Sequence, residues 1–441
     1  MSIKSGTAGG GADSAKNLAD APRFADKEEA LAWLDHLGMF NSDMRLGRME
    51  SALSMLGLAD GFCPTVQIVG TNGKGSTSTF LYSLALEHGL RAGVYNSPHF
   101  VDPGERIRIN GSFMDPALWP ELMQKALGTA PDLTYFELVT VVALQAYKLA
   151  GAEALFLEAG MGARYDATTA FPAQRACICP LAADHTDVLG ATVEAIAGDK
   201  AYAIRRGMYA AVTAPQVPEV MAVLRRRAAE EGVPLYTFGD ADTLGATLPD
   251  GVQLGLRGAH QHANAQLALI AWHLFCAAAG IKSDPRPVRE GLEKAFLPGR
   301  MQLVPAHDGL PPMTLDGAHN AHGMASLVNS LKAEGSAPHA IVFSCLADKH
   351  PEELVAILDR GFPGIPVIIP KIADNPRAAA PEALAALFGK GRTVYAAAGL
   401  ADALDEVRNM RAGSVLLCGS LYLLGEFFAM YPRYLEAGGQ H

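Results

Sequence analysis

Short apolar runs alternate with longer helical patterns along the chain from Thr65 onwards. In the first part of the chain, the runs at 66–69, 154–157 and 176–179 have the length of strands. The segments 76–88 and 136–150 have the length of helices. Strands that alternate with helices form a parallel sheet with helices on its faces. The pattern therefore predicts an α/β fold.

A second series of the same kind begins after Pro298 and Gly299, which form a turn signal. We therefore place a domain boundary there, with a larger α/β domain over 23–298 and a smaller Rossmann-like α/β domain over 299–441. Residues 1–22 contain no continuous apolar run and are expected to form a flexible tail rather than a secretory signal. The apolar runs of the second series are 313–315, 340–343, 367–369, 393–395 and 415–418.

Composition sets outer limits on function. Apolar residues make up 49% of the 441 residues and charged residues 19%, which excludes disorder over the bulk of the chain. Acidic residues outnumber basic ones by 46 to 36. The net charge of −10 argues against a protein that coats nucleic acid or an anionic membrane. Any bound anion should therefore be held by a small local positive site.

The cysteines and one stretch without charged residues indicate the cellular compartment of the protein. The six cysteines include no C-x-x-C pair and are too few for a disulfide scaffold. Cys177 and Cys179 alternate with Ile178 in an apolar run and are predicted to be buried thiols on a strand. The stretch 259–281 carries no charge, but its first third is too polar for a bilayer core. We expect a reduced, cytoplasmic protein with no membrane span.

A glycine-rich loop connects the first apolar run to the first long helical pattern. It reads Gly70-Thr-Asn72-Gly73-Lys74-Gly75-Ser76-Thr77. In this context backbone N–H groups and the helix dipole favour a phosphate, Lys74 reaches the outer phosphates, and Ser76 or Thr77 lies near a metal. The spacing departs from the common G-x-x-x-x-G-K-[ST] form, because Gly75 stands before the hydroxyl. The loop predicts a P-loop-type ATPase domain and leaves the reaction open.

Further motifs follow in a fixed order. Together with the loop they resemble the ATP-dependent ligases of the folylpolyglutamate synthase/dihydrofolate synthase family, in the Mur ligase superfamily. The resemblance covers about residues 31–428. The motifs are Tyr95-Asn-Ser-Pro-His99, Glu105-Arg-Ile-Arg108, Thr134-Tyr-Phe-Glu137, Leu157-Glu-Ala-Gly-Met-Gly162, Asp166-Ala-Thr168, Asp184-His-Thr-Asp187, Leu189-Gly190, Asp199-Lys-Ala201, Leu297-Pro-Gly-Arg-Met-Gln302, Asp316-Gly-Ala-His-Asn320, Asp348-Lys349 and Cys418-Gly-Ser420.

The resemblance implies that ATP converts a carboxylate to an acyl phosphate, which the amine of L-glutamate attacks. The acceptor would be 7,8-dihydropteroate or a reduced folate. Cations must clamp the transferring phosphoryl group, and Lys74 is the first candidate. The residues implied in catalysis are Lys74, Lys200 and His319. Those implied in ATP binding are Asn72, Gly73, Lys74, Gly75, Ser76, Thr77, Asn264, Arg300 and Asp316, with Asn264 on adenine, Arg300 on the terminal phosphate and Asp316 on ribose.

The resemblance implies two Mg²⁺ ions. Glu158 ends an apolar run and offers an oxygen suited to Mg²⁺, although a strand-end glutamate can also cap the next helix. The resemblance adds Ser76, Ser97, His185 and Lys200 as metal ligands. An imidazole is unusual on Mg²⁺, so His185 alone would suggest a packed or hydrogen-bonded histidine. His319 alone would suggest a histidine of a surface loop.

A more specific hypothesis concerns a covalent modification of Lys200. In the resembled ligases the lysine at this position is carbamylated by CO₂, which turns a cation into a carboxylate-like metal ligand. Carbamate formation needs the neutral amine, so a metal or burial must favour it. The alternative is an unmodified Lys200 that pairs with a phosphate or with Asp199.

The resemblance also implies a pteroate pocket. It would be lined by Asp43, Met44, Tyr135, Phe136 and Asp166. Aromatic side chains suit a flat heterocycle, but aromatic residues at a helix entry also pack in cores.

Five positions depart from the family pattern, which puts pterin affinity and chain-length preference in question. They are Ala163 in place of a glycine, Tyr165 in place of a leucine, Thr169 in place of an asparagine, Pro180 in place of a serine or threonine, and Ala321 in place of a proline. Two alternatives stay open: a Mur-type ligase for another carboxylate and amino acid, and a P-loop nucleotide-binding protein that is not a ligase. We expect a monomer that binds neither nucleic acid nor a membrane.

Overall fold

The structure is a computed structural model that describes residues 22–38, 45–182, 186–389 and 391–437. The expected N-terminal tail therefore lies almost entirely outside the described residues. The chain divides into two compact units. Unit 1 holds residues up to 98, 103–249 and 266–291, and unit 2 holds 99–102, 250–265 and the residues from 292 onwards.

The sheet of unit 1 has eight strands among the described residues, in the order β4-β3-β2-β5-β1-β6-β7-β8. Only β3 and β4 run antiparallel to their neighbours. All residues of β1, β5 and β6 are buried, which explains the continuous apolar runs at these strands. The strands are β1 (Thr65–Val69), β2 (Ala92–Tyr95), β3 (Ile107–Ile109), β4 (Ser112–Phe113), β5 (Ala154–Glu158), β6 (Arg175–Ile178), β7 (Ala210–Thr213) and β8 (Leu235–Tyr236).

Helices connect these strands. Two of them, α10 and α11, carry residues of both units. The helices are α1 (Lys27–Asp35), α2 (Gly47–Met55), α3 (Lys74–Glu87), α4 (Trp119–Thr129), α5 (Tyr135–Leu149), α6 (Thr186–Leu189), α7 (Val193–Lys200), α8 (Pro218–Glu231), α9 (Ala241–Leu244), α10 (His260–Ala279) and α11 (Pro285–Lys294).

Unit 2 is built on a six-stranded sheet, counted over its described residues, in the order β13-β12-β11-β14-β10-β9. Only β9 is antiparallel. Its strands are β9 (Gln302–Val304), β10 (Met313–Asp316), β11 (Ala340–Phe343), β12 (Val367–Pro370), β13 (Val394–Ala397) and β14 (Val415–Cys418). Its helices are α12 (Ala321–Ala333), α13 (Pro351–Gly361), α14 (Pro381–Ala385), α15 (Leu400–Met410) and α16 (Leu421–Met430).

The predicted α/β fold with two parallel-dominated sheets is confirmed. Each apolar run named from the sequence coincides with a strand or overlaps one. Cys177 and Cys179 are fully buried. The domain boundary at Pro298–Gly299 stays a prediction; the last passage of the chain between the units falls shortly before it, after Gly291. Among the described residues, no helix is both long and apolar enough to cross a membrane.

Candidate active site

The glycine-rich loop joins β1 to α3 at the carboxyl edge of the unit 1 sheet. Helix α3 begins at Lys74, directly after Gly73 in the left-handed conformation (φ 86°). Its first backbone bond runs from the Thr77 N–H to the Gly73 carbonyl at 2.9 Å. The N–H groups of Lys74, Gly75 and Ser76 therefore have no acceptor within the helix, and such an end favours a phosphate.

The loop is tied to the segment that follows β6. The Thr71 N–H donates to the Pro180 carbonyl at 3.0 Å, and the Thr71 hydroxyl donates to the Ala182 carbonyl at 3.0 Å. Gly70 passes so close to Cys179 that a Cβ at position 70 would lie 2.5 Å from the Cys179 Cβ. Only glycine fits at this point of contact. Burial raises the pKa of the Cys179 thiol to about 12, so the thiol is neutral.

Two lysines meet at one carbonyl of this loop. The Gly70 oxygen accepts from Lys74 Nζ at 3.2 Å and from Lys200 Nζ at 2.8 Å. Lys74 also donates to the Thr71 carbonyl at 3.4 Å. Lys200 is 4% exposed at the end of α7. The structure thus brings the two predicted catalytic lysines to the same edge of unit 1.

Glu158, at the end of β5, lies next to the strand that carries the loop. The carboxylate is buried, and its Oε2 accepts from Asn96 Nδ2 at 3.0 Å and from the Ser97 N–H at 3.2 Å. Asn96 also donates to the Ser78 hydroxyl at 2.7 Å. Glu158 and Ser97, both predicted metal ligands, are therefore neighbours.

The donor set fits a hard cation. Glu158, Ser76 and Ser97 offer oxygen atoms, which Mg²⁺ prefers. His185 lies outside the described residues. Within the described ranges, no group of three or more His, Cys, Asp and Glu side chains is arranged to hold a metal.

Asp166 organises the loop that follows Glu158. Its Oδ2 accepts from the N–H groups of Gly160 and Met161, and its Oδ1 accepts from the N–H and hydroxyl of Thr168, all within 3.1 Å. Burial is the main influence on this carboxyl group and raises its pKa. A pteroate contact to Asp166 would have to share or displace one of these four bonds.

Gln67 supports the same loop from inside β1. Its Nε2 donates to the hydroxyls of Thr168 and Thr169, at 3.0 and 2.6 Å. The Thr169 hydroxyl in turn donates to the Ala163 carbonyl at 2.7 Å. Two positions that depart from the family pattern are thus bonded to each other.

The predicted pteroate aromatics differ in exposure. Tyr135 is 1% exposed and belongs to the core, whereas Phe136 is half-buried. The Phe136 ring centre lies 5.8 Å from that of Tyr95. The buried Arg106 guanidinium lies 5.6 Å from the Tyr135 ring centre and 5.8 Å from that of Phe136. Asp43 and Met44 lie outside the described residues.

A capping box fixes the start of α5, where both aromatics stand. Glu137 accepts from the Thr134 N–H at 2.8 Å. The same carboxylate accepts from Arg48 on α2 at 3.0 and 3.2 Å, and both side chains are nearly buried. This ion pair links the helix of the aromatics to the segment that follows residues 39–44.

Unit 2 holds a second group of predicted residues. Asp316, at the end of β10, accepts from the N–H groups of Met301 and Ala318, both at 2.8 Å. Burial raises the pKa of Asp316, and nearby Arg300 opposes that shift. Burial lowers the pKa of His260, which also interacts with Asp316 and Arg300. Arg300 and Asp316 are therefore close together.

The predicted adenine residue lies at the start of α10. Asn264 is 5% exposed, and its Nδ2 donates to Gln261 Oε1 at 3.0 Å. Gln261 Nε2 is 3.0 Å from His260 Nε2. His319 Nδ1 lies 2.7 Å from the Gly317 carbonyl, so Nδ1 carries a proton and donates there. Asn264 and His319 belong to unit 2, like Arg300 and Asp316.

Sequence reasoning missed four side chains that position these residues: Gln67, Asn96, Arg106 and Asp199. Asp199 Oδ1 accepts from the Ala163 N–H at 2.8 Å and from the Arg164 N–H at 3.5 Å. Gln67 was visible as the one polar residue in the apolar run 66–69. The other three belong to motifs named above, but nothing in the sequence shows which backbone or side-chain groups they position.

Comparisons with known proteins agree on one family. Residues 299–421 match the family model described as Mur ligase, glutamate ligase domain. The dihydrofolate synthase/folylpolyglutamate synthase of Mycobacterium tuberculosis is 33% identical over 410 residues, which cover 82% of this chain and 82% of that protein.

Solved structures give the same result. An Escherichia coli protein in complex with DHPP and ADP superposes with a TM-score of 0.81 at 27% identity, over 93% of this chain and 99% of the other. A bifunctional folylpolyglutamate synthase/dihydrofolate synthase from Yersinia pestis, complexed with AMPPNP and a Mn ion, superposes with a TM-score of 0.80 at 28% identity, over 93% and 99%.

Proposed function

Because this chain belongs to the dihydrofolate synthase/folylpolyglutamate synthase family of ATP-dependent ligases, we propose that it joins L-glutamate to 7,8-dihydropteroate and adds further γ-linked glutamates to reduced folates. Related structures hold ADP, AMPPNP, a Mn ion or DHPP. A nucleotide and a divalent metal are therefore the expected ligands of this chain too.

The observation that carries the proposal is the meeting of Lys74 and Lys200 at the Gly70 carbonyl, at 3.2 and 2.8 Å. The Lys74 ammonium group lies at the N-terminal end of α3, where an anion is already favoured. In a chain with a net charge of −10, this is the local positive site that a nucleoside triphosphate requires.

The proposed reaction proceeds in two steps. An acceptor carboxylate attacks the terminal phosphorus of ATP, the bond to the bridging oxygen breaks, and ADP leaves. The glutamate amine then attacks the acyl phosphate, loses a proton, and displaces inorganic phosphate. Lys74 and the N–H groups of α3 stabilise the negative charge of the transferring phosphoryl group. Arg300 binds the terminal phosphate, and Asp316 binds the ribose. Asn264 binds the adenine, and His319 acts where the glutamate amine attacks the acyl phosphate.

We assign the metal to the oxygen donors of unit 1. Ser76, Ser97 and Glu158 would hold Mg²⁺, and the family resemblance adds His185 and Lys200 and a second ion. Bound Mg²⁺ neutralises phosphate charge in such sites. The Asn96 and Ser97 N–H groups orient the Glu158 carboxylate, because both donate to Oε2.

Lys200 is proposed to be carbamylated. The reaction joins its neutral amine to CO₂ and releases one proton, and the product is an anion that can bind a metal. Lys200 is buried, and this step needs its neutral amine. Mass spectrometry of active enzyme equilibrated with CO₂ should show the added mass on the peptide of Lys200, and an unmodified amine would contradict the assignment.

The test of the function is glutamate-dependent release of ADP. The purified chain is given Mg²⁺, ATP and L-glutamate with either dihydropteroate or tetrahydrofolate, and the products are identified by mass spectrometry. We expect dihydrofolate from the first acceptor and γ-glutamyl folates from the second. ADP release with neither acceptor, or only with a different carboxylic acid, would overturn the proposal.

A further inference from the structure

Arg164, on the loop that follows β5, lies close to two tyrosine rings. The Arg164 guanidinium carbon lies 5.2 Å from the centre of the Tyr165 ring and 4.7 Å from that of Tyr202. Arg164 is exposed, and the two rings are 38% and 36% exposed. We call these three residues the Arg164 stack.

The charge of the Arg164 stack is open to a ligand. In the described part of the chain, the recorded contacts of the Arg164 guanidinium are the two rings. Arg227 also lies over Tyr202, at 4.7 Å, but its charge is paired with Glu231 at 2.7 Å. Stacking on rings uses the face of a guanidinium and leaves its N–H edge able to bind a carboxylate.

The Arg164 stack is anchored beside the candidate reaction site. Its loop leads away from Glu158, and the N–H groups of Ala163 and Arg164 both donate to Asp199. Asp199 directly precedes Lys200 at the end of α7. The backbone of Arg164 is thus fixed to the helix end that carries a predicted catalytic lysine.

The two acceptors of the proposed function differ next to the carboxyl group that reacts. Dihydropteroate ends in a benzoate whose single carboxylate is consumed. A folate ends in a glutamyl residue, which presents an α-carboxylate a few bonds from the reacting γ-carboxylate. Only the folate therefore offers a second anion near the reaction centre.

We propose that Arg164 binds the α-carboxylate of the terminal glutamyl residue of a folate acceptor and so determines the preference for folates over dihydropteroate. The assignment rests on the proposed function and deepens it. Tyr165 and Tyr202 restrict the guanidinium before the ligand arrives, so that less side-chain entropy is lost on binding. Tyr165 stands where the family pattern usually has leucine, which gives this chain one more ring at the stack.

The test compares the two acceptors in the same variants of the full chain. Arg164→Gln should lower kcat/KM for tetrahydrofolate about tenfold, as expected for the loss of one charge-assisted hydrogen bond, and leave kcat/KM for dihydropteroate unchanged. The loss should appear in the KM for tetrahydrofolate. Tyr165→Leu should show a smaller loss with the same preference.

Arg226→Gln is the matched control. It removes one positive charge from the exposed face of α8, where Arg226 is 4.0 Å from Glu230, and should leave both acceptors unaffected. Equal losses for both acceptors in Arg164→Gln, a higher KM for L-glutamate, or no loss at all would each overturn the assignment of Arg164. A wild-type chain that uses dihydropteroate but no folate would overturn it as well. A wild-type chain that uses neither acceptor would instead contradict the proposed function.

Discussion

The charge of Lys74 contributes little to the stability of the fold. Its ammonium group donates to two carbonyls of its own loop, Gly70 and Thr71, and to no other element of the described structure. Lys74→Ala should therefore leave the melting temperature unchanged. The loss of the nearest cation to the phosphoryl group should lower kcat by about 100- to 1,000-fold, measured as glutamate-dependent ADP release. Lys125→Ala is the control, because this lysine is exposed and paired with Glu121. Near-normal turnover of Lys74→Ala would remove it from the mechanism.

Asp166 makes the stability of the fold depend on pH. Burial raises the pKa of this carboxyl group above its usual value of 3.8. The folded chain therefore holds this proton more tightly than the unfolded chain, and the associated stabilisation is present at low pH and is lost as the pH rises through the raised pKa. Asp166→Asn cannot titrate. Its free energy of unfolding, measured with urea, should thus improve relative to the wild type as the pH rises from about 4 to 7. A pH-independent difference would show that the carboxyl group does not titrate in this way.

At the scale of elements, the ion pair between α2 and the start of α5 should matter for stability. The Arg48 and Glu137 side chains are 10% and 7% exposed, and a buried pair that loses one partner leaves an uncompensated charge. Arg48→Met should lower the free energy of unfolding by about 3 kcal/mol. Arg91→Met, which breaks the exposed pair with Glu153, should cost at most about 1 kcal/mol. Equal effects in urea titrations would contradict this difference in burial.

In the unit 1 sheet, the neighbouring strands β5, β1 and β6 were predictable from the sequence, and the strands towards either edge were not. Strands β1 and β5 are buried on both faces, so their residues form apolar runs that stand out. Strands β3 and β4 lie at the edge of the sheet, span three and two residues, and include exposed or partly exposed positions, so they leave no such run. Strand β2 contains Gly93, which reduces its resemblance to a strand.

Some features of the candidate site were likewise predictable from the sequence, and others were not. Lys74 was predictable because strand, loop and helix follow one another within a few residues. The contacts of Lys200 and Asp199 were not, because each bond spans a long stretch of chain: from Lys200 to Gly70, and from Asp199 to Ala163. Such pairings arise from the order of strands in the sheet, where β5 and β6 flank β1.

At the scale of the whole molecule, unit 2 depends on a segment far away in sequence. Residues 99–102 belong to it, and the ring centre of Phe100 lies 4.7 Å from that of Phe428 on α16. Phe100→Ala should lower the free energy of unfolding by about 2 kcal/mol and speed amide hydrogen exchange in α16. Val101→Ala, at a 47% exposed position of the same segment, should change neither. Faster exchange confined to unit 1 would contradict the assignment of Phe100 to unit 2.

The discontinuous units also constrain the order of events on the ribosome. Unit 1 is complete only when residue 291 has been made, and by then two segments of unit 2, 99–102 and 250–265, have already been synthesised. Domains that are continuous in sequence can fold one after the other during synthesis. Here the Phe100 ring cannot pack against Phe428 until most of the chain, which lies between the two residues, has been translated. Folding of unit 2 is therefore a late event, and a ribosome that stops before α16 releases a chain in which that apolar ring has no partner on this helix.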